Sequence, residues 1–548
     1  MSGALLQMVS LGEQDKYLTG TPKITLFKKK INSYTNFSTG TIQINFDGNI
    51  VNFGGNFDGG KKTATITSDI GDLLHRLTLV LKLEENTSKS WGYVNKIGHA
   101  IIDNIEVMIN SELIDIHEGE FINMYNELNR NDSHDDNYDK MIGNVDGLKN
   151  IDVDHDEYTL YIPLNFWFTK STVLSFPLCS IDGNIQINVT LNHALDCINW
   201  KGTNEPSDNL PNIISSYLLA DLIFLDEEEK RYFETDPNIE YLIETVDEIT
   251  DHITTQDFRH NLTFQNSCKY IMWATNLNRY YNRNKFLSFA FDDNFDKALD
   301  NFGKLIWLST RDGLDMSKKN PIIRFSSNFI NIGEVPAMIS GGNTILESLS
   351  KKVKGIILFA ETLNNEITAK ATIDNVILSE NNLTFEDMSK TIDEIKEGLN
   401  TTDDQTAFLN KHTLNIRDVF NFGNFINRTD NPIVSSRLIL NGYDKFQERD
   451  GNFFNSIVPY YHFSNKPADG INVFSFSVDP NNLDPLGTIN FGAIGDNQEL
   501  ILNIGKNNIK NNEHLNGFYK NGKDGCLLRV FSYNYSFLKV FNKGIILR

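Results

Sequence analysis

Residues 97–128 read IGHAIIDNIEVMINSELIDIHEGEFINMYNEL, and this stretch decides the fold. Ile101, Ile105, Val107 and Ile109 share one parity, with Asn104, Glu106 and Asn110 on the other. That alternation predicts a half-buried strand. Asn110-Ser111 supplies turn chemistry, and Leu113, Ile114 and Ile116 carry a second extended piece that Gly119 breaks. Phe121, Met124, Tyr125 and Leu128 then fall on one face of a short helix. The stretch therefore predicts strand, turn, strand, helix. It also holds His99, His117 and Asp115. His117 and Asp115 share strand parity, yet no third ligand follows at a metal-binding spacing. The pair is read as structural, and the stretch as scaffold.

The chain has 548 residues, enough for two to four domains. Thirty-seven Phe and nineteen Tyr supply large cores and lean toward sheet. A formal charge of −22 argues against a broad nucleic-acid surface, so no direct nucleic-acid partner is expected. The one basic run, Lys28-Lys29-Lys30, reads as an exposed strand edge. Cys179, Cys197, Cys268 and Cys526 are far apart and form no CxxC pair, which removes zinc and redox motifs. The first twenty residues lack the charged and apolar regions of a signal peptide. No stretch is long and apolar enough to span a bilayer as a helix.

The hairpin-and-helix pattern returns once. SSRLILNGYDKFQERDGNFFNSIVPY, from Ser435, repeats the strand, the Asn-led turn and a Gly-x-Phe-x-Asn motif. That motif runs Gly119 to Asn123 in the first copy and Gly451 to Asn455 in the second, 332 positions on. A second echo pairs YTLYIPLNFWF (from Tyr158) with INVFSFSVDP (from Ile471), followed by GNIQINVTL and GTINFGAI respectively. Two echoes in the same order predict two copies of one all-β domain. The join is LADLIFLDEEEKRYFETDPNIEYLIETV, from Leu219: a strand ending near Leu225, an acidic helix-prone turn, Pro237, and a new strand near Ile239. Many short strands between turn signals imply sandwiches or barrels. Segment 378–415 is polar and partly helical in pattern, with Ile392, Ile395 and Leu399 on one face, and is read as an exposed insertion.

These blocks resemble the major capsid proteins of large eukaryotic double-stranded DNA viruses, the double jelly-roll (nucleocytoplasmic large DNA virus) type. LLQMVSLGEQDKYLTGTPKITLFKK resembles the family's N-terminal arm and first strand. The 97–128 stretch resembles its most recognisable block, with Phe121 where Trp is common. PLNFWF, LSFPLCSI and LADLIFLDEEEKRYF fit the first roll and the join. NGYDKFQERDGNFFN, GINVFSFSVDPNNLDPLGTINF and LRVFSYNYSFLKV fit the second roll. The ending FNKGIILR departs from the family's small-residue finish, and 378–415 has no family counterpart.

The resemblance implies two consecutive eight-stranded jelly rolls. The division expected is 1–23 N-terminal arm, 24–225 first roll, 226–238 linker and 239–548 second roll. It implies a homotrimeric pseudo-hexagonal capsomer of an icosahedral virion shell, assembled in the host cytoplasm. Neighbouring capsomers and minor capsid and penton proteins are the implied partners. Leu5, Leu6, Met8, Val9 and Leu11 of the arm have no domain of their own to bury them. They fit docking under a neighbour or toward an internal membrane.

No enzyme motif competes. GNFDGGKK, Gly55 to Lys62, comes nearest to a phosphate loop, but Lys62 replaces the Ser or Thr that holds magnesium. TATITSDI after it alternates like a strand, whereas a phosphate loop opens a helix. The carboxylate-rich DVDHDE (Asp152–Glu157) and NDSHDDNYD (Asn131–Asp139) are read as solvated loops; Glu157 stands where a calcium loop needs glycine. The glycosylation triplets at Asn36, Asn86, Asn261 and Asn382 predict little in an Asn-rich chain. No catalytic, cofactor-binding or metal residues are assigned, and no cofactor. The alternative that the fold leaves open is a carbohydrate-binding or hydrolytic jelly-roll protein.

Overall fold

A computed structural model describes residues 3–27, 33–47, 60–87, 91–130, 135–149, 154–200, 210–236, 238–277, 287, 289–290, 431–495, 497–505, 525–541 and 544–547, with isolated strands at 322–325, 357–361, 368–371 and 413–414. The hairpin forms as the alternation predicts: Ile102–Ile109 pairs antiparallel with Glu112–Glu118, and Gly119–Asn129 is helical. Asn110 and Ser111 sit at φ 51° and 68°. Two turn residues at positive φ match the right-handed twist of the strands they join.

Eight strands make the first roll. They are β1 (Phe37–Asn45), β2 (Lys61–Ile66), β3 (Leu73–Leu83), β4 (Ile102–Ile109), β5 (Glu112–Glu118), β6 (Tyr158–Pro163), β7 (Ile185–Leu191) and β8 (Ile213–Leu225). One sheet runs β1-β8-β3-β6 and the other β2-β7-β4-β5. Eight more make the second: β9 (Asn238–Ile253), β10 (Asp257–Asn261), β11 (Ser267–Leu277), β12 (Ile433–Leu440), β13 (Tyr443–Asp450), β14 (Asn472–Ser475), β15 (Gln498–Ile504) and β16 (Cys526–Phe541). Their sheets run β9-β16-β11-β14 and β10-β15-β12-β13. Adding eight to each strand of the first roll gives the second roll's order, so the fold is a double jelly roll.

The duplicated glycines have one job. A Cβ on Gly119 would lie 2.5 Å from Ile102 O, the first residue of β4, and a Cβ on Gly451 would lie 2.0 Å from Ile433 O, the first residue of β12. In both copies the helix can leave the hairpin only where no side chain exists. The join also folds as read. β8 ends at Leu225, and the Asp226 side chain caps helix Glu227–Thr235 by accepting the Glu229 N–H at 3.0 Å.

Two expectations need correction. The first roll, expected to open with a strand just after residue 23, does not do so: Ile24, Leu26 and Phe27 are exposed, and the first described strand begins at Phe37. Alternation marks strand-forming residues; pairing decides which of them join a sheet, and the edge of β8 is taken by Phe37–Asn45. The first half of the second echo holds, β6 matching β14, but the strands that follow are shifted by one element. The counterpart of GNIQINVTL (β7) is β15, since β7 pairs with β2 and β4 as β15 pairs with β10 and β12. GTINFGAI instead forms the two-residue strand Ile489–Asn490 on β11, matching Phe176–Pro177 on β3. Similar local composition misled the alignment; sheet position corrects it.

Lys28-Lys29-Lys30 and most of 378–415 lie outside the described residues. Between β11 and β12, the short strands Ile322–Phe325, Ile357–Glu361, Thr368–Ala371 and Thr413–Leu414 form a small mixed sheet of their own.

Candidate functional site: the seam between the two rolls

β16 and β11 are buried on both faces. Leu528, Val530, Ile271 and Trp273 enter the second roll's own core, while the alternate residues Phe531, Tyr533, Tyr270 and Met272 join the first roll's core. Period-two geometry requires this division. The outer face of the β9-β16-β11 sheet is thus the floor on which the first roll sits.

From the first roll, β5 and helix Gly119–Asn129 meet that floor through a ladder of rings. Phe166 stacks on His117 (4.3 Å), His117 meets Phe121 (4.8 Å), Phe121 stacks on Tyr533 (6.2 Å), and Tyr533 stacks on Tyr270 (4.8 Å). Ring pairs at these separations add to simple area burial. Backbone N–H groups of the second roll extend the seam: Asn465 N–H donates to Leu128 O at 3.1 Å, and Ala468 N–H to the Glu127 side-chain Oε2 at 3.2 Å.

Three ionic groups cross the seam. Asp115 Oδ1 accepts the Val246 N–H at 3.0 Å, and His117 Nε2 stands 2.9 Å from Asp115 Oδ2. Glu244 is held by Lys170 of the first roll and Lys269 of the second, and accepts the Tyr533 hydroxyl at 3.1 Å. Burial pushes the Glu244 carboxyl up, but the two ammoniums outweigh it and hold it below its ordinary value. Arg529 gathers Glu118, Glu248 at 2.7 Å and Glu120 at 3.4 Å. Three carboxylates on one guanidinium cannot all ionise cheaply. Burial and Glu248 push Glu118 up to about 8 despite Arg529.

The residues weighed for chemistry in the sequence do not converge on one another. Lys61 opens strand β2, not a helix, and binds Glu106 at 2.6 Å. His99 is buried, with Nε2 2.8 Å from the Tyr138 hydroxyl; burial and then Lys96 hold it down to about 3, so it is neutral. Among the described residues no group of three or more His, Cys, Asp or Glu is placed to hold a metal ion. Asp152 and Val153 of the first carboxylate-rich run, and Asn131–His134 of the second, fall outside the described residues. The seam residues Lys170, Glu244, Lys269 and Arg529 were not singled out in the sequence. Their signal was faint: single charges inside aromatic strands, as in SCKYIMW and LLRVFSYNYSF.

The doubled strand order and its two-sided seam define the class by fold: a double jelly roll. Residues 25–226 match the model "Major capsid protein N-terminus", and residues 229–545 match "Large eukaryotic DNA virus major capsid protein". The chain belongs to the large eukaryotic DNA virus major capsid protein family. It is 27% identical to capsid protein 1 of Acanthamoeba polyphaga mimivirus, over 99% of this chain and 98% of that one. It is 26% identical to the major capsid protein of Phaeocystis pouchetii virus, over 99% and 98%. Its fold is similar to that in the PBCV-1 virus capsid (TM-score 0.60, 19% identity, 95% of this chain and 99% of that one). It is also similar to the Faustovirus major capsid protein (TM-score 0.57, 9% identity, 96% and 94%). The protein is a structural component of a virion shell, not an enzyme.

Proposed function

We propose that three copies of this chain close into a pseudo-hexagonal capsomer, and that capsomers tile an icosahedral shell. One observation carries this reading: each roll offers both halves of a seam, and a single chain fills only one. In the first roll Leu128 is fully buried against the second roll, and β5 buries Asp115 and His117. In the second roll the corresponding turns of the helix carry Ile457, Tyr460 and Tyr461, exposed at 47%, 80% and 73%. β13, the counterpart of β5, buries Phe446 alone. At the other end β1, the counterpart of the seam strand β9, is exposed along most of its length. A head-to-tail contact between unlike faces makes a closed ring when its rotation closes. The second roll's helix of one copy would sit on the β1-β8-β3 sheet of the next, as the first roll's helix sits on β9-β16-β11.

The same reading divides the chain into arm 1–23, first roll 24–225, linker 226–238 and second roll 239–548, with no catalytic, cofactor or metal residues. Minor capsid and penton proteins would bind the finished capsomer in the host cytoplasm. The arm would dock under a neighbour or toward an internal membrane. Its helices Gly3–Val9 and Glu13–Thr19 bury no residue within the chain. Light scattering on purified protein tests the reading: a mass about three times that of the chain, stable to dilution, is expected. A concentration-independent monomer overturns it.

A further inference from the structure

The sheets β9-β16-β11 and β1-β8-β3 match residue by residue. In the second roll, Val246 of β9, Tyr533 of β16 and Tyr270 of β11 form one cross-strand row. β11 is bulged just before this row: Lys269 is skipped between Cys268 and Tyr270 in the pairing with β16. β3 of the first roll is bulged at the same place, with His75 skipped between Leu74 and Arg76. The row beside it is Thr41 of β1, Asp221 of β8 and Arg76 of β3. The short edge pairings fix the register, since Cys268 pairs with Ile489 as Leu74 pairs with Phe176. Where one floor carries the stacked rings of Tyr270 and Tyr533, the other carries an arginine and an aspartate.

The helices match as well. The first roll's helix lays Phe121 and Tyr125 on Tyr533 and ends with Asn129 beside Tyr270. At the 332-residue offset Leu128-Asn129 becomes Tyr460-Tyr461. Tyr461 stays within that pair even if the π-turn Phe453–Ile457 shifts the offset by one. The two tyrosine rings meet edge to face at 5.2 Å, and both are exposed. Arg76 is exposed too, and it bridges no carboxylate among the described residues. Asp221, opposite it on β8, accepts the Thr41 hydroxyl at 2.6 Å and balances the charge of the row.

We propose that the Arg76 guanidinium of one copy stacks on the Tyr461 ring of the next and sets which helix docks on β1-β8-β3. This contact rests on the ring of copies proposed above, and its partner is a second copy of this chain. A guanidinium over a phenol ring gains an electrostatic attraction that strengthens as water leaves. Arg and Tyr are also the residues that most often carry interface energy. The Leu128-Asn129 end of the first helix offers Arg76 no ring, so the charged floor discriminates against it. Each helix is thereby matched to its own floor.

Sedimentation equilibrium of the full-length protein over a dilution series in sub-denaturing urea gives the strength of association. Both side chains are exposed in the single chain, so their substitution leaves its core intact, and circular dichroism checks this. Arg76→Gln and Tyr461→Leu are each expected to weaken association about tenfold per contact. Together they are expected to weaken it no more than either alone. Tyr461→Phe, which keeps the ring, is expected to stay close to the unmodified protein. A trimer that neither substitution weakens, additive losses in the double variant, or a Phe variant as weak as the Leu variant overturns the Arg76–Tyr461 contact and leaves the trimer standing. An unmodified protein that stays monomeric overturns the trimer itself, and this contact with it.

Discussion

The Asp115 carboxylate, on β5 of the first roll, accepts the backbone N–H of Val246, on β9 of the second, at 3.0 Å. The same oxygen also takes the Ile116 N–H at 3.0 Å, and Asp115 is 3% exposed. A side chain from one domain thus completes the backbone hydrogen bonding of the other. Domains that met only through loose surface contact would not share a buried backbone donor in this way. The two rolls form a paired unit.

Asp115→Ala strands the Val246 N–H in a dry seam. Leaving a buried donor unsatisfied costs about 1–3 kcal/mol. Urea unfolding should show a loss near the upper end of that range, while Asp115→Asn, which keeps an acceptor oxygen, should lose less. Equal stability of Asp115→Ala and the unmodified protein would refute the role given to this carboxylate.

The Arg529 cluster predicts alkaline sensitivity. Glu118 has a higher affinity for its proton folded than unfolded, with a folded value of about 8. The native state therefore holds a proton that the unfolded chain releases, and stability must fall as pH rises from the ordinary carboxylate range toward about 8. Glu118→Gln should flatten this slope in melting temperatures measured between pH 5 and pH 9. Glu244 and Glu127 act in the opposite sense. Burial pushes both carboxyls up, but Lys170 and Lys269 on one, and Lys96 on the other, overcome it and hold both low. Their contribution is present above the unfolded value and is lost in acid as the folded values are crossed.

Gly451→Ala drives a Cβ to 2.0 Å from Ile433 O, a backbone atom that cannot swing aside. Gly119→Ala does the same against Ile102 O at 2.5 Å. Overpacking of this kind costs about 1–3 kcal/mol and more where backbone must move. Both variants should melt well below the parent. Gly147→Ala, where an added Cβ meets nothing within 4 Å, is the control expected to be silent.

Tyr460→Glu charges the exposed helix face of the second roll without touching either core. The monomer should keep its melting temperature, and the trimer should dissociate. Sedimentation velocity on a folded variant reads this directly; an intact trimer would remove the Tyr460 face from the proposed contact.

Deletion of residues 1–20 should leave melting temperature and trimer mass unchanged, because the two arm helices bury nothing within the chain. Particle formation should drop. Unfolding on deletion would place the arm in the subunit core.

The sequence alone carried the hairpin at 102–118, its turn, the helix after it, the duplication and the helix that follows Leu225. Each rests on local physics: side-chain period, residues tolerant of positive φ, and a glycine where a helix must leave a strand. Ile24 shows the limit of such reasoning, since an alternating run becomes a strand only if a neighbour offers hydrogen bonds, and β8 offers them to Phe37–Asn45 instead. The misaligned echo at GTINFGAI has the same cause: strands of similar composition differ only in whom they pair with. The seam was the least legible part. Lys170, Glu244, Lys269 and Arg529 are ordinary charged residues in sequence, separated by up to hundreds of positions. Only tertiary structure brings them together, because burial and charge pairing depend on which faces meet, and that is set by how two rolls dock rather than by any local pattern.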